Sequence, residues 1–376
     1  MSAQATDSPL KAQERSAGAP DTQRVLAYPK SGTAYTERLY AEVEARQVTV
    51  VEGVWSGRWL RRNVRSGDII HIHWPSFLYF DASSKIRTAV RLAKLYAYLW
   101  FARMLGAKLV WTAHNLYPHD GFDRKFHRIG RRIITSLANY VCVHGPSSAQ
   151  LVERELKVAA ARIRIAHHGH WLGHYPNQIT RGESRARLNL PAGEFVYLFI
   201  GACRPYKGLE SLIEAFAAMP RPARLLIAGK FTSPHYLDEI QALVRKTPAV
   251  ELVPESIPDD ELQLYLNAAD CVVLPYRAIL TSGTAMLAMS FGRPVVAPDL
   301  GGITDHLDFR CGLLYDADDP QGLTNALLRI RSLSFESAAI IENARRFGWS
   351  QLVGALLEVP GGPAHSSSDP QRLRTS

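Results

Sequence analysis

Short apolar segments alternate with segments of helical periodicity along most of this chain, and this alternation restricts the fold more than any other feature. The first series contains VLAYP, QVTVVEG, DIIHIHW and KLVWTAHN. A second series begins near Glu194 with FVYLFIGA and continues through ARLLIAG, VELVPE, CVVLPY and PVVAPD. Strands separated by helices predict parallel sheets that are covered on both faces. We therefore expect an α/β protein made of two Rossmann-like domains that face each other across a cleft.

The join between the two series lies at WLGHYPNQITRGESRARLNLP, where turn-forming residues mix with charged ones. A length of 376 residues is sufficient for two domains. The predicted organisation is a disordered lead-in over 1–23, an N-terminal Rossmann-like domain over 24–180, a C-terminal Rossmann-like domain over 190–335, a final helix over 336–358 and a disordered tail over 359–376.

Composition limits the compartment and the partners. No apolar run reaches the ~18–20 residues of a membrane span, and the N-terminus lacks the apolar core of a secretory signal. The four cysteines are far apart, which favours reduced thiols and a cytoplasmic protein. A net charge of +9 predicts an acidic partner: a nucleic acid, an anionic membrane surface or a phosphorylated small molecule.

Two loops of the second domain carry candidate diphosphate-binding residues. Arg204 and Lys207 follow the strand FVYLFIGA, and a helix begins just after them. Two cations beside a helix N-terminus suit a diphosphate, although solvated surface charge is the simpler interpretation. After CVVLPY come Tyr276 and the group Thr281, Ser282 and Gly283, which either cap a helix or bind phosphate. The two functions are compatible.

In the first domain, the residues on and after the strands include histidines where the second domain has Arg and Lys. His71 and His73 lie on one face of the strand DIIHIHW, while His114, Asn115, His119 and Asp120 follow KLVWTAHN. We interpret His71 as a buried structural residue and predict acid–base roles for His114 and Asp120. Hydroxyl-orienting roles are predicted for His73 and Asn115. The sequence has no HExxH and no Cys/His metal spacing, so no metal is expected.

Dinucleotide and P-loop nucleotide binding are both disfavoured, because neither GxGxxG after the first strand nor GxxxxGK[ST] occurs. The first strand instead leads into YPKSGTAYTERLY, where residues 30–33 could still contact a ligand from the first domain.

Two helical segments of the first domain are rich in basic residues. SKIRTAVRLAKLYAYLWFARML places Arg87, Arg91 and Lys94 at helical spacing, with Tyr98 on the same side. DRKFHRIGRRI is predicted to place its arginines on a common face, namely Arg124, Arg128, Arg131 and Arg132. Such helices suit an anionic membrane surface, and the alternative is a core helix with a solvated basic rim.

The motifs HIHWPSFL, WTAHNLYPHDG, GACRPYKGLESLIEAF and LPYRAILTSGTAMLAMSFGRPVVAP, taken together, resemble GT-B glycosyltransferases. The chain is similar over most of residues 24–358 to bacterial exopolysaccharide β-mannosyltransferases of the xanthan type, which are related to glycosyltransferase family 4. The resemblance implies a nucleotide-sugar donor, with its diphosphate held by Arg204 and Lys207 and with Thr281, Ser282 and Gly283 near its phosphates or sugar. It also implies that the C-terminal domain (190–335) binds the donor and that the N-terminal domain (24–180) binds a lipid-linked acceptor, with His73 and Asn115 on the acceptor side. The helix over 336–358 resembles the segment that crosses back to the first domain in GT-B proteins, and no bound metal is implied.

One departure from the related retaining enzymes concerns the reaction's stereochemistry. Their two glutamates, before the GxPVV turn, correspond here to Ile279 and Leu287 or immediate neighbours, which are not acidic. This favours inversion, in which a base removes the acceptor proton, and Asp120 beside His114 is the candidate. We expect transfer of mannose from GDP-mannose to a lipid-linked oligosaccharide in exopolysaccharide biosynthesis, at the inner face of the cell membrane. The alternatives are a UDP-sugar donor and, in another class, a basic nucleic-acid-binding protein.

Overall fold

The computed structural model describes residues 23–118 and 124–358, which form two parallel six-stranded sheets. Every strand pairing within them is parallel, and helices connect successive strands. The inner strands of both sheets are largely apolar and buried because helices cover both faces, whereas the strands at the sheet edges are partly exposed. The predicted α/β class with two Rossmann-like units is therefore confirmed.

The first sheet has the strand order β2-β1-β3-β4-β5-β6. Its elements, in chain order, are β1 (Arg24–Tyr28), α1 (Ala34–Glu44), β2 (Thr49–Glu52), α2 (Gly57–Asn63), β3 (Ile69–Ile72), α3 (Ser76–Tyr79), α4 (Lys85–Met104), β4 (Lys108–Thr112), α5 (Arg124–Leu137), β5 (Tyr140–Val143), α6 (Pro146–Leu156) and β6 (Ile163–Ile165). The sequence analysis did not identify β5 and β6, which are short and end the sheet on one side.

The second sheet has the order β12-β11-β10-β7-β8-β9. Its elements are α7 (Arg181–Arg187), β7 (Phe195–Ile200), α8 (Leu209–Ala217), β8 (Ala223–Ala228), α9 (Pro234–Val244), β9 (Val250–Val253), α10 (Leu262–Ala268), β10 (Cys271–Val273), α11 (Gly283–Ser290), β11 (Val295–Pro298), β12 (Gly312–Tyr315), α12 (Gly322–Ile330), α13 (Ser337–Arg345) and α14 (Trp349–Leu357).

Each sheet has one point at which the strand order reverses, and ligands of open parallel sheets bind beyond the strand ends at such points. In the first sheet the reversal lies between β1 and β3, and in the second it lies between β7 and β10. Arg204 and Lys207 follow β7, while Thr281, Ser282 and Gly283 follow β10. The candidate donor residues therefore lie at the reversal point of their own sheet.

Helix α14 packs against α1 of the first domain. The Tyr140 hydroxyl donates to the Glu358 carbonyl at 3.0 Å, and the Arg46 side chain donates to the Ser350 carbonyl at 3.2 Å. These contacts support the proposal that residues 336–358 cross back to the first domain.

Arg131 corrects one prediction about the basic helices. Its guanidinium is buried and donates to the Leu116 carbonyl (2.9 Å), the Tyr79 hydroxyl (3.0 Å) and the Ser76 hydroxyl (3.2 Å). It therefore joins α5 to α3 and does not belong to the exposed basic face, where Arg124, Arg128 and Arg132 remain. Helical spacing alone could not separate these positions, because the buried face of α5 carries an arginine that finds three oxygen acceptors.

Candidate active site

A cavity of about 500 Å³ lies between the two sheets, at the ends of strands from both. The first domain contributes residues that follow β1, β3 and β4, and a segment that follows β6 contributes one histidine. The second domain contributes the loops after β7 and β10. The lining residues are Tyr35, Trp74, His114, Asn115, His168, Arg204, Tyr206, Ile279, Thr281 and Gly283. The fold therefore brings His114 and Asn115 together with Arg204, Thr281 and Gly283.

The second-domain wall of the cavity is suited to an anion. Arg204 is half-buried, and within the described ranges its guanidinium forms no ion pair. The Thr281 hydroxyl is buried and has no hydrogen-bond partner. Ser282 caps α11 by accepting from the Ala285 N–H at 3.1 Å, which satisfies one free donor of the first helical turn. The unsatisfied donors at this helix start and the arginine together favour negative charge.

Tyr276, Ser282 and Lys207 lie behind this wall and do not line the cavity. The Tyr276 hydroxyl interacts with Thr284 and Ser282, so it fixes the turn that precedes α11. Lys207 is buried, and its ammonium lies 5.3 Å from the Tyr276 ring and 5.6 Å from the Phe199 ring. Burial lowers the pKa of Lys207. A nearby anion would offset that cost, because a buried cation gains most from a charged partner.

Gly208 allows this turn to approach β10 closely. It adopts a left-handed conformation with φ of +68°, and a Cβ there would lie 2.2 Å from the Pro275 carbonyl oxygen. A residue with a side chain is therefore excluded without a shift of the backbone, and the loop after β7 remains against the loop after β10.

The first-domain wall rests on a buried chain of hydrogen bonds. Thr112 Oγ1 lies 2.8 Å from His71 Nε2, and the Tyr40 hydroxyl lies 3.0 Å from His71 Nδ1. The same hydroxyl lies 2.7 Å from His73 Nε2, and His73 Nδ1 lies 3.0 Å from His114 Nε2. Tyr40 has one proton to donate, so it donates to one histidine and accepts from the other. In either direction each imidazole carries one proton and is neutral.

The chain assigns different roles to its three histidines. His71 and His73 are fully buried, whereas His114 lines the cavity and stacks on Trp74 with ring centroids 4.5 Å apart. His71 is thus the structural residue that the sequence predicted. His73 was expected on the acceptor side. In the structure it lies behind His114 and does not line the cavity, and its hydrogen bond to His114 orients that residue.

Burial determines the protonation of these groups. It lowers the pKa of His71 to about 3, and it holds the pKa values of His73 and His114 well below the ordinary value of histidine, with neighbouring histidines adding to the effect. Since His114 Nε2 is occupied by His73, Nδ1 is the ring nitrogen that His114 offers to a substrate. The site therefore presents neutral imidazole on one wall and cations on the other.

His168 is a cavity residue that the sequence analysis missed. Its Nδ1–H donates to the Gly169 carbonyl at 2.8 Å, which leaves Nε2 as an acceptor, and burial lowers its pKa to about 4. A Cβ at Gly283 would lie 3.2 Å from His168 Nε2, so this nitrogen faces the start of α11. The run HHGH at the end of β6 was the available signal, but nothing in the sequence pairs it with a loop more than 100 residues away.

A second cavity of about 450 Å³ adjoins the first and shares Asn115, Tyr206 and Ile279 with it. Its remaining lining is largely apolar and includes Leu116, Tyr117, Pro118, Leu151, Ala278 and Leu280, with Arg124 at one side. The Arg124 guanidinium lies over the Tyr117 ring, 4.8 Å from its centroid. A ligand that fills both cavities meets polar groups first and an apolar wall beyond them.

Several of the predicted features lie outside the part of the chain that the structure describes. Asp120, the candidate base, lies outside the described residues, as does His119, so the base assignment stays a prediction. Residues 1–22 and 359–376, which hold nearly all of the predicted disordered ends, also lie outside them. In the described part of the chain, no three His, Cys, Asp or Glu side chains form a group that could hold a metal ion, and no helix has both the length and the apolarity to cross a membrane.

Comparison with known proteins identifies the family. Residues 194–332 match the family of glycosyl transferases group 1. The chain is 27% identical over 272 residues to GDP-mannose:glycolipid 4-β-D-mannosyltransferase of Xanthomonas campestris pv. campestris, covering 69% of this chain and 70% of that enzyme. It is 30% identical over 286 residues to D-inositol 3-phosphate glycosyltransferase of Thermobispora bispora, covering 69% and 66%. Across eight such curated relatives the aligned region spans 55% to 70% of their length.

Solved structures agree on the fold. Sucrose-phosphate synthase from Thermosynechococcus elongatus superposes with a TM-score of 0.67 at 20% identity, covering 89% of this chain and 97% of that one. HepE of Anabaena, in complex with UDP and glucose, gives 0.67 at 18% identity with the same coverage. The two parallel sheets, the cleft between them and the matched second domain lead to one conclusion: the chain belongs to the GT-B glycosyltransferases of group 1.

Proposed function

We propose that this chain transfers mannose from GDP-mannose to a lipid-linked oligosaccharide, with inversion, in exopolysaccharide biosynthesis at the inner face of the cell membrane. One observation carries the proposal: a cavity between the two domains joins an unpaired arginine, an unsatisfied buried hydroxyl and a helix start on one wall to neutral histidines on the other. The second-domain wall suits a leaving diphosphate, and the first-domain wall suits sugar hydroxyls.

The donor diphosphate is proposed to lie against Arg204, the Thr281 hydroxyl and the first turn of α11. Arg204 would donate two parallel hydrogen bonds to phosphate oxygens, and Lys207 would act from behind as a buried positive charge. These groups offset the negative charge that develops on the leaving diphosphate, so the proposal requires no metal. Solved GT-B structures with UDP or ADP bound support a nucleotide at this type of site.

Mannose and guanine are supported by the two Xanthomonas enzymes, whose printed names give GDP-mannose as donor. D-inositol 3-phosphate glycosyltransferases match over a similar share of the chain, so a different donor is the alternative within the family. The nucleotide base of the donor is therefore tested directly, by comparing guanine nucleotides with uracil, adenine and thymine nucleotides.

The acceptor is proposed to enter through the second cavity. Its sugar hydroxyl would reach Asn115 and His114, while its diphosphate would lie near Arg124 and its lipid along the apolar lining. A transferase that uses a lipid-linked acceptor needs such a succession of polar and apolar surfaces.

The reaction is a displacement at the anomeric carbon. The acceptor oxygen bonds to that carbon, the bond from the carbon to the diphosphate oxygen breaks, and the acceptor proton passes to a base. Asp120 is the proposed base, and His114 is proposed to orient the sugar through Nδ1. His168 offers its Nε2 to a donor hydroxyl beside α11.

The test is thermal stabilisation by GDP, UDP, ADP and dTDP and their sugars, with Arg204→Ala as the variant. Arg277→Ala is the matched control, because Arg277 is nearby and exposed but pairs with Glu210 at 3.0 Å. We expect GDP-mannose to raise the melting temperature of the wild type and of the control, and to have little effect on Arg204→Ala. Stabilisation by a uridine nucleotide alone would replace the donor. No response to any nucleotide would refute the proposal.

A further inference from the structure

Helix α4 exposes an apolar surface where a helix of a globular domain normally exposes polar residues. Its buried face consists of Leu92, Leu95 and Leu99 with their neighbours, and these residues pack on the sheet. On the opposite side the residues exposed to solvent are again apolar. They recur at intervals of four and three, and we call them the α4 stripe: Ile86, Val90, Ala93, Ala97, Trp100 and Met104.

The exposure is large and continuous along the helix. Ile86 is 79% exposed, Met104 is 67% exposed, and Val90 and Trp100 are each about half exposed. Intervals of four and three place all six residues within one narrow sector of the helix. A helix of 20 residues is ~30 Å long, so the stripe forms a straight apolar ridge of that length. Apolar patches of this extent on a soluble domain indicate an interaction site.

Basic residues surround the stripe. Helices α4 and α5, which pack against each other, contain ten Lys and Arg residues and no Asp or Glu. The rest of the chain then has 34 basic and 35 acidic residues, so the whole positive charge of the protein originates in these two helices. All but Arg131 are exposed.

The neighbouring acidic groups reduce this charge only in part. Asp81 pairs with both Arg87 and Arg91, and Glu155 lies 4.0 Å from Arg124. Lys94, Arg128 and Arg132 form no ion pair with any other residue that the structure describes. Ile129, 47% exposed, lies among the basic residues of α5 and extends the apolar surface sideways.

We infer that the α4 stripe inserts into the headgroup region of an anionic lipid bilayer, with the basic residues of α4 and α5 on the lipid phosphates. A nucleic acid would use the cations but would leave a ~30 Å apolar ridge in water. An apolar ridge with Trp and Tyr at its border and cations on both sides matches a helix lying in the membrane plane. The inference deepens the proposed function and rests on it only for the acceptor, since the same surface borders Arg124 and the second cavity.

Vesicle co-sedimentation tests the surface without donor or acceptor. The probes are phosphatidylcholine vesicles with and without phosphatidylglycerol, at low and high salt. The test variant is Ile86→Ser/Trp100→Ser/Met104→Ser. The matched control is Phe309→Ser/Leu314→Ser/Leu328→Ser, which removes three exposed apolar residues from the other domain. A second variant, Lys94→Gln/Arg128→Gln, weakens the charge alone, and thermal melting checks that each variant is folded.

We expect binding to the anionic vesicles only, a partition coefficient at least about tenfold lower for the stripe variant, and no change for the control. The charge variant should bind about tenfold more weakly at low salt, with a smaller difference at high salt. The inference is overturned if the wild type does not bind vesicles, if the stripe variant binds as tightly as the wild type, or if the stripe instead holds two copies together in sedimentation experiments. Because these results need no turnover, they remain valid if the donor assignment fails.

Discussion

The two walls of the cleft are built by different means. The second-domain wall is local: Arg204 follows β7 by four residues, and Thr281 to Gly283 form the start of α11, so short stretches of sequence supply its chemistry. The first-domain wall is a chain of Thr112, His71, Tyr40, His73 and His114, drawn from three separate segments. The second-domain wall therefore requires only that two loops adopt their conformation, whereas the first-domain wall requires that the core of the domain is folded.

This difference has a chemical consequence. The second-domain wall takes its positive character from Arg204 and the start of α11, so it is ready for an anion as soon as its loops form. The histidines are neutral only because the folded domain removes them from water. Donor binding should therefore depend mainly on the second wall, and turnover should also require the integrity of the first.

The largest expected effect is that of a substitution at the proposed catalytic base, which should lower turnover without changing donor binding. Asp120→Asn removes the proton acceptor but leaves the second wall unchanged, so we expect a 10²–10⁴-fold loss of kcat with an unaltered donor dissociation constant. Single-turnover kinetics and calorimetric titration with the donor measure the two quantities. Asp123→Asn, three residues further along, is the control and should keep its activity. Full turnover by Asp120→Asn would assign the base to another residue.

The second-largest expected effect is a loss of folding stability at low pH, caused by the buried histidines of the first-domain wall. The folded-state pKa is about 3 for His71 and about 4 for His168, below the ~6.5 of an unfolded histidine. The unfolded chain thus binds more protons below pH ~6.5, so stability is fully present above that pH and is lost as pH falls. At pH 5.5 the loss is about 1 kcal/mol for each such histidine.

Urea unfolding at pH 7.5 and pH 5.5 measures this loss. In His71→Asn the difference between the two free energies of unfolding should shrink by about 1 kcal/mol, because one buried group no longer titrates. His235→Asn is the control, since His235 is exposed on the second domain. An identical pH dependence in wild type and His71→Asn would mean that the histidine chain is not held neutral by burial.

Breaking the chain at Tyr40 should have a smaller effect. Tyr40→Phe leaves His71 Nδ1 and His73 Nε2 without their shared partner, at a cost of about 1–3 kcal/mol in the free energy of unfolding. His114 then loses its fixed orientation, so kcat should fall about tenfold while donor affinity is kept. Tyr96→Phe, at an exposed position of α4, should change neither. If donor affinity fell as far as kcat, the two walls would not act separately.

The sequence predicted the second wall better than the first for physical reasons. Alternating strands and helices, with polar groups after the strands, identify the reversal point and hence Arg204 and Thr281. The same approach placed His73 in the cavity and omitted His168, because both outcomes depend on packing between distant segments. The position of His73 is determined by Tyr40 on α1, and that of His168 by Gly283 at the start of α11. Burial of Arg131 was missed for a similar reason: its three oxygen acceptors lie on α3 and on the segment after β4.

The smallest expected effects distinguish the two functions proposed for the start of α11. Ser282 caps the helix, so Ser282→Ala should lower the free energy of unfolding by about 1 kcal/mol and change donor affinity little. The Thr281 hydroxyl is buried without a partner, so Thr281→Val should keep or slightly raise stability and weaken donor binding by up to about tenfold. Thermal melting and donor titration of both variants measure the four quantities. If both variants changed only stability, the helix start would be a cap and nothing more, and Arg204 would have to hold the diphosphate without it.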